Sequence, residues 1–313
     1  MMPESSYAWT PDMGDNVIIR VSKSTLSNSD WCLQQLWLEK TLSVERQSTE
    51  AMTVGNDVHN ALERFYIHAG EDNDNISRAH EAMEIGHTRE AYDALEVLFP
   101  TPHQMVKYEW RDPRDMEQPF YPAPYSLNRE WLIRHEMERL RHSTPEAWAP
   151  LANEVRVEAD VDYEMEDGTV VPVHFVGIID RIFDDGDGGM SLMELKTGKW
   201  HVRKMSEMRR EMAFYKFLLE NADPNDLPEN IRNKPVTHWG WRFPKADHWN
   251  FEKAKGVSEK AMHRRLNTLL TAYREQEFTP CVTLNAREDF KCGWCDYMQY
   301  CPLFSPYDME ALG

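Results

Sequence analysis

The chain has 313 residues, 41% of them hydrophobic and eleven of them tryptophan, so one elaborated domain or two smaller ones can build a full core. Its formal net charge of −18 excludes general coating of nucleic acid, which needs positive charge. A local basic groove can still work on such a body, because salt screens surface fields beyond about 8 Å. No apolar run approaches the roughly 20 residues of a membrane span, and residues 1–15 lack a signal-peptide pattern, so a soluble, cytoplasmic protein without a membrane partner is expected.

In chain order, residues 22–42 predict a helix after an N-capped start, carrying Cys32, Leu36 and Leu38. Residues 53–69 predict a clearer helix, with Val54, Val58, Ala61, Leu62, Phe65 and Tyr66 at helical spacing and Gly70 at its end. Residues 76–98 continue helical, 100–124 form a proline-punctuated loop, and 127–141 form another helix. The stretch 70–150 has few strand signals and reads as a helical insertion. A period of two then takes over at 154–164, where Val155, Val157, Ala159, Val161 and Tyr163 alternate with polar residues. Strands at 170–183 and 190–196 flank Asp184-Asp185-Gly186-Asp187-Gly188-Gly189, which is hairpin-turn chemistry. It lacks the distal glutamate and flanking helix of a calcium loop. A helix at 202–220, a strand at 236–243 and a helix at 258–277 complete the order β-β-β-α-β-α. This is an α/β arrangement in a single domain spanning 1–313. Within it lie N-terminal helices (20–69), the insertion (70–150), a core (151–250) and a C-terminal helix with cysteines (251–313).

Two constellations carry chemistry. Cys32 lies far upstream of Cys292-Gly293-Trp294-Cys295 and Cys301. Four soft thiolates drawn from both ends of a chain suit an iron–sulfur cluster or a structural zinc, and either requires the ends to meet. Cys281 reads as an ordinary buried or half-buried thiol. The second constellation is Asp180 with Glu194-Leu195-Lys196. On a strand, Glu194 and Lys196 emerge on one face and Leu195 on the other, and Asp180 on the neighbouring strand can lie beside them. Two carboxylates make a hard oxygen site for Mg²⁺ or Mn²⁺, and an adjacent lysine can neutralise developing phosphoryl charge. Those are the parts of phosphodiester hydrolysis. A Glu-x-Lys pair alone is more often a solvated ion pair; the apolar approach through Leu192 and Met193 argues the other way.

Gly177-Ile178-Ile179-Asp180-Arg181 followed by Glu194-Leu195-Lys196-Thr197-Gly198 resembles the PD-(D/E)XK nuclease signature in its RecB-like form. With the four cysteines, the resemblance is to the iron–sulfur subset: CRISPR-associated RecB-like exonucleases, the AddB nuclease domain and related phage exonucleases. It covers about residues 22–302, apart from the insertion. The resemblance implies a restriction-endonuclease-like core, a mixed β-sheet flanked by helices, with a C-terminal region holding a [4Fe–4S] cluster on Cys32, Cys292, Cys295 and Cys301. It implies Asp180 and Glu194 as metal ligands, Lys196 as the catalytic lysine, and His59 of Gly55-x3-His59 as a further ligand. The family's Gln-x3-Tyr element falls on Glu211-x3-Tyr215, where Glu for Gln is a departure, since a carboxylate there repels DNA phosphate. Glu154 and Glu158 are weaker acidic candidates on a strand face shared with Asp160 and Asp162. Zinc stays the rival for the cysteines, although its common pattern uses two Cys-x2-Cys pairs and this chain has one.

Between 196 and 216, seven basic residues (Lys196, Lys199, Arg203, Lys204, Arg209, Arg210, Lys216) outnumber Glu207 and Glu211. Lys199, Arg203, Lys204, Arg209 and Arg210 are expected to contact DNA backbone, with Trp200 and His201 as stacking surfaces. A weaker basic stretch runs through 253–265. The expected activity is that of a metal-dependent DNA exonuclease on single-stranded or end-containing DNA, with 5′→3′ polarity implied by the resemblance. Recombination, repair and CRISPR adaptation all suit it, as do a phage origin and a homo-oligomer or a recombination or CRISPR protein as partner. The competing expectation is a non-cutting DNA-binding scaffold that keeps the fold and the clasp.

Overall fold

The computed structural model describes residues 18–42, 50–71, 73–100, 123–281, 290–293 and 295–304. The loop expected at 100–124 lies outside them apart from its ends, as does Trp294. The centre is a six-stranded mixed sheet of β1 (Ile19–Ser22), β2 (Ala152–Glu164), β3 (Val170–Asp184), β4 (Met190–Leu195), β5 (Val236–Phe243) and β6 (His248–Lys253). Strand β2 runs antiparallel along the whole of one side of β3. The other side of β3 is shared. β1 pairs parallel with its first part, up to Ser22 opposite Val176, and β4 pairs antiparallel with its last part, from Met193 opposite Arg181. Residues 177–180 of β3 are therefore left open between two strand ends. β5 then adds parallel to β4, and β6 antiparallel to β5.

Strands β1 and β6 are absent from the sequence expectation. β1 is only four residues long, and β6 alternates half-buried with exposed positions at the sheet edge, so neither shows a strong apolar period. The single helix expected at 22–42 is instead the end of β1 and two helices, α1 (Lys23–Trp31) and α2 (Leu33–Thr41). The expected cap is present: the amide of Thr25 donates to Ser22 Oγ at 3.1 Å. Cys32 separates the helices with extended backbone (φ −166°, ψ 121°). The helix expected at 76–98 likewise divides into α4 (Asn73–Glu84) and α5 (Thr88–Leu98), at a turn where Gly86 takes φ 78°. α3 (Glu50–Glu71), α6 (Ala123–Arg141), α8 (Lys204–Asn221) and α9 (Gly256–Glu275) fall where helices are expected, with shifted ends; the short α7 (Pro145–Trp148) and α10 (Phe290–Gly293) are new.

Among the described residues two large hydrophobic cores result, beside a small cluster of Leu38, Tyr297 and Cys301. One lies between the sheet and helices α1, α2, α8 and α9, with Phe175, Ile179, Leu192, Phe214, Trp239 and Leu266 fully or nearly buried. The other fills a helical lobe made by α3 to α7, and Leu195 of β4 joins it from the sheet. The stretch read as an insertion is thus one lobe with α3, as the helical period of Val58, Ala61, Leu62, Phe65 and Ala69 requires. Among the described residues no helix is long and apolar enough to cross a membrane.

Candidate active site and metal centre

The opening beside residues 177–180 of β3 collects the polar residues that the sequence singles out. Asp180 stands at its end, buried, and Asp180 Oδ2 accepts from the amide of Leu195 at 2.7 Å, holding β4 where it leaves β3. Beyond that point Leu195 turns into the helical lobe while Glu194 and Lys196 turn the other way. This is the division that strand alternation predicts. α3 brings His59 to the same spot, where a Cβ on Gly55, one turn earlier, would stand 3.6 Å from Thr197 Oγ1. His59 Nδ1 lies 3.1 Å from Glu154 Oε1 and 3.7 Å from Asp180 Oδ1, and Nε2 lies 3.2 Å from the Leu195 carbonyl.

Glu154, Asp180 and His59 together offer ligand atoms that all lie within 4.8 Å of one another. Glu154 therefore belongs to the site, whereas Glu158 pairs with Arg156 on the exposed face. The backbone explains the difference. Val155 onward alternates regularly, but Glu154 takes φ 46°, a left-handed conformation that costs a non-glycine residue on the order of 1–3 kcal/mol and breaks the ladder opposite Asp180. That distortion is invisible to a period-two reading.

Electrostatics show a site built for a cation. Burial, reinforced by the Glu194 charge, raises the Asp180 carboxyl from 3.8 to about 6. Burial alone would lower the affinity of His59 for a proton, but Asp180 and Glu154 outweigh it and the imidazole is raised. Its ring places Nδ1 toward the Glu154 and Asp180 carboxylates and Nε2 toward the Leu195 carbonyl. Glu194 is treated oppositely: burial would raise it, but the Lys23 and Lys196 ammoniums hold it at about 2. Those ammoniums donate to Oε1, at 2.5 and 2.7 Å, while Glu194 Oε2 is buried and finds no hydrogen-bond partner among the described residues. The His59 nitrogen and the Glu154 and Asp180 carboxylates fit a hard divalent ion, whereas Glu194, expected as a ligand, is not part of that group and offers only its unpartnered Oε2.

From α8, Glu211 reaches the same group, its Oε2 2.9 Å from Lys196 Nζ, and Tyr215 packs its ring 5.2 Å from Lys23 Nζ. Lys23 is the member of this charged cluster that the sequence does not single out. No spacing reveals it, because its position follows from β1 docking on β3.

An open cleft of about 800 Å³ leads to the site, with Arg20, Lys23, Lys40 and Arg156 as its basic residues and His59, Glu154 and Asp180 at its floor. None of the five basic residues expected on DNA lines it. Arg209 donates twice to Glu252, both at 2.7 Å, Arg210 pairs with Asp30 at 2.8 Å, and Lys204 stacks over Phe243. Lys199 and Arg203 are exposed outside the cleft. Trp200, expected as a base platform, is stacked at 3.9 Å on His248 against the core, while His201 stays exposed.

The second constellation is gathered as well. Cys32, Cys292, Cys295 and Cys301 line one pocket at the α1–α2 break, so the two ends of the described chain meet there. Cys281, expected as an ordinary buried or half-buried thiol, is instead exposed at the same pocket, and its amide donates to Cys32 Sγ at 3.3 Å. Lone-pair-rich thiols from three segments around one space fit a soft-metal group.

This fold and site carry an assignment. The chain belongs to the PD-(D/E)XK nuclease superfamily, whose family model matches residues 20–302. Nucleases of this superfamily use divalent metals, and the mixed sheet flanked by helices is consistent with a restriction-endonuclease-like fold. No curated protein matches the chain. A solved structure described as "Crystal structure of SSO0001" aligns with 81% of this chain and 97% of its own, at 13% identity and a TM-score of 0.33, which is too loose to carry an argument.

Proposed function

We propose that the protein is a metal-dependent DNA exonuclease acting on single-stranded or end-containing DNA, with Mg²⁺ or Mn²⁺ as its ion. The observation that carries this reading is the meeting of His59, Glu154 and Asp180 in the lining of an open, partly basic cleft, with the hydrogen-bonded Glu194–Lys196 pair at the adjoining end of β4. His59, Glu154, Asp180 and the free oxygen of Glu194 would hold the ion. When bound, the ion supplies charge stabilisation to the phosphoryl oxygens and eases deprotonation of water. Lys196 supplies positive charge beside it, and Arg20, Lys40 and Arg156 bind the backbone of the incoming strand. A 5′→3′ polarity, and a role in recombination, repair or CRISPR adaptation with a partner protein or a second copy, follow from the RecB-like motifs.

The test is end-labelled single-stranded DNA with Mg²⁺ or Mn²⁺, comparing wild type with Lys196→Ala and Asp180→Ala. Degradation from one end that both substitutions abolish is the expected result; equal activity in all three would sink the reading.

A [4Fe–4S] cluster on Cys32, Cys292, Cys295 and Cys301 is part of the same proposal, supported by their shared pocket. Its role is to clasp the two chain ends. Anaerobic purification should give a brown protein with broad visible absorption, whereas a colourless protein with one equivalent of zinc would replace iron by zinc.

One observation favours a second reading, a non-cutting DNA-binding scaffold: Lys196 is held between two carboxylates, Glu194 and Glu211. That reading requires salt-sensitive DNA binding unchanged in metal-free buffer and no product after prolonged incubation.

A further inference from the structure

Lys23 closes a ring of alternating charge. Its ammonium lies 2.5 Å from Glu194 Oε1, which lies 2.7 Å from Lys196 Nζ, which lies 2.9 Å from Glu211 Oε2, which lies 3.7 Å from Lys23 Nζ again. Two lysines thus bridge the same two carboxylate oxygens, and the four charges sum to zero. Both carboxylates are buried, with side chains only 2% and 7% exposed, and a charge buried so deeply is costly without a counter-charge beside it. The lysines reach solvent further, and Lys23 lines the cleft.

Without Lys23, one ammonium would serve two buried carboxylates. Drawing Lys196 toward a phosphate would then strip both of their counter-charge, a large cost in a low-dielectric site. With Lys23 present, Glu194 Oε1 keeps a hydrogen bond and Glu211 Oε2, which has no hydrogen-bond partner among the described residues, keeps a cation 3.7 Å away while Lys196 moves. Lys23 also takes only Oε1 of Glu194, which leaves Oε2 for a metal ion. Its place is secured by the fold, since it is the residue at which β1 ends and α1 begins, in the opening between β1 and β4.

We propose that Lys23 is a positioning residue of this site: it keeps Glu194 and Glu211 neutralised so that Lys196 is available to the scissile phosphate, and Glu211 is tolerated only because Lys23 stands opposite it. The proposal rests on the nuclease reading for its catalytic half; its electrostatic half does not.

Lys23→Met, Glu211→Gln and the double variant Lys23→Met/Glu211→Gln separate the possibilities in the full-length protein. Three readouts are needed: cleavage kinetics on end-labelled single strands, Mn²⁺ titration calorimetry and thermal unfolding. Lys23→Met should lower kcat about tenfold, the size expected when contacting charges are uncoupled, with KM little changed. It should also tighten Mn²⁺ binding severalfold, since a competing ammonium is gone. The double variant, neutral again, should recover most of kcat and shift the Mn²⁺ affinity back toward wild type. A folded double variant no more active than Lys23→Met overturns the proposal, because Lys23 would then act on substrate or serve the fold alone. Full activity of Lys23→Met overturns it equally. If Lys23→Met does not fold, the double variant decides: it must fold and cleave. If wild type does not cleave, the nuclease reading fails separately, and an unchanged Mn²⁺ affinity in Lys23→Met then overturns the ring.

Discussion

Asp180 holds a charge that the metal-free fold disfavours. Burial, then the neighbouring Glu194, raise its carboxyl from 3.8 to about 6. A raised value means that its contribution to stability is fully present below 3.8 and is lost as pH rises through about 6. At neutral pH the ionised group therefore weakens the fold until a cation arrives. Asp180→Asn keeps an acceptor for the Leu195 amide, and should stabilise the metal-free protein by about 1–3 kcal/mol while abolishing Mn²⁺ binding. Calorimetric melts and a Mn²⁺ titration check both halves; a lower melting temperature would contradict the charge argument. Gly177, three residues earlier, is required by packing. A Cβ there would stand 2.9 Å from Leu218 Cδ2 and 3.1 Å from Tyr215 Cε1. The leucine tip can yield but the ring cannot, so Gly177→Ala should cost about 1–3 kcal/mol in urea unfolding and displace Tyr215 from Lys23.

At the scale of elements, the site depends on two junctions. One is the shared flank of β3, where β1 and β4 end against each other. The other ties the helical lobe to the sheet. Glu136 of α6, fully buried, accepts from Arg242 of β5 at 2.6 Å, Arg139 at 2.7 Å and Tyr66 of α3 at 2.8 Å. The Arg242 carbonyl in turn accepts the Lys196 amide at 2.8 Å, so this buried network backs the segment that carries the lysine. Burial would raise the Glu136 carboxyl, but Arg139 and Arg242 outweigh it and hold it at about 2. The depressed value means its contribution is present above 4.5 and lost as pH falls through about 2. Glu136→Ala leaves two guanidiniums without their carboxylate and should destabilise the protein by about 3–5 kcal/mol at pH 7. The gap between variant and wild type should narrow in urea melts below pH 4.5. Periodicity made α3 and β2 to β5 legible, because their apolar residues face one way. It could not show β1, whose place is defined by its partner, nor the break at Cys32, where only the extended backbone ends α1.

For the whole molecule, the cysteine pocket is where the two ends of the described chain meet. Cys32 and the Cys292–Cys301 group come from opposite ends of the chain, and closing so long a loop restricts the unfolded ensemble strongly. The main core between the sheet and its helices contains none of these cysteines. If the proposed cluster is bound there, Cys295→Ser loses its visible absorption, lowers the melting temperature and exposes both ends to protease, while a folded nuclease core survives digestion. Cys281→Ser should retain the colour. Complete unfolding of Cys295→Ser would show that the clasp is needed for the core itself.

Residue types and local spacing single out Asp180, Glu194, Lys196 and the four cysteines as candidates, because acid–base and metal-binding chemistry restricts which side chains can do the work, while His59 is singled out only through the family resemblance. Period-two and helical patterns likewise yield an α/β arrangement, because burial must follow backbone geometry. Tertiary structure alone decided that Glu154 turns into the site, that Lys23 answers Glu211, and that Arg209 and Arg210 spend their charge on Glu252 and Asp30 instead of facing the cleft. Each of those outcomes is a contact between segments far apart in the chain. Electrostatic energy depends on distance in space, which no local pattern of residues contains.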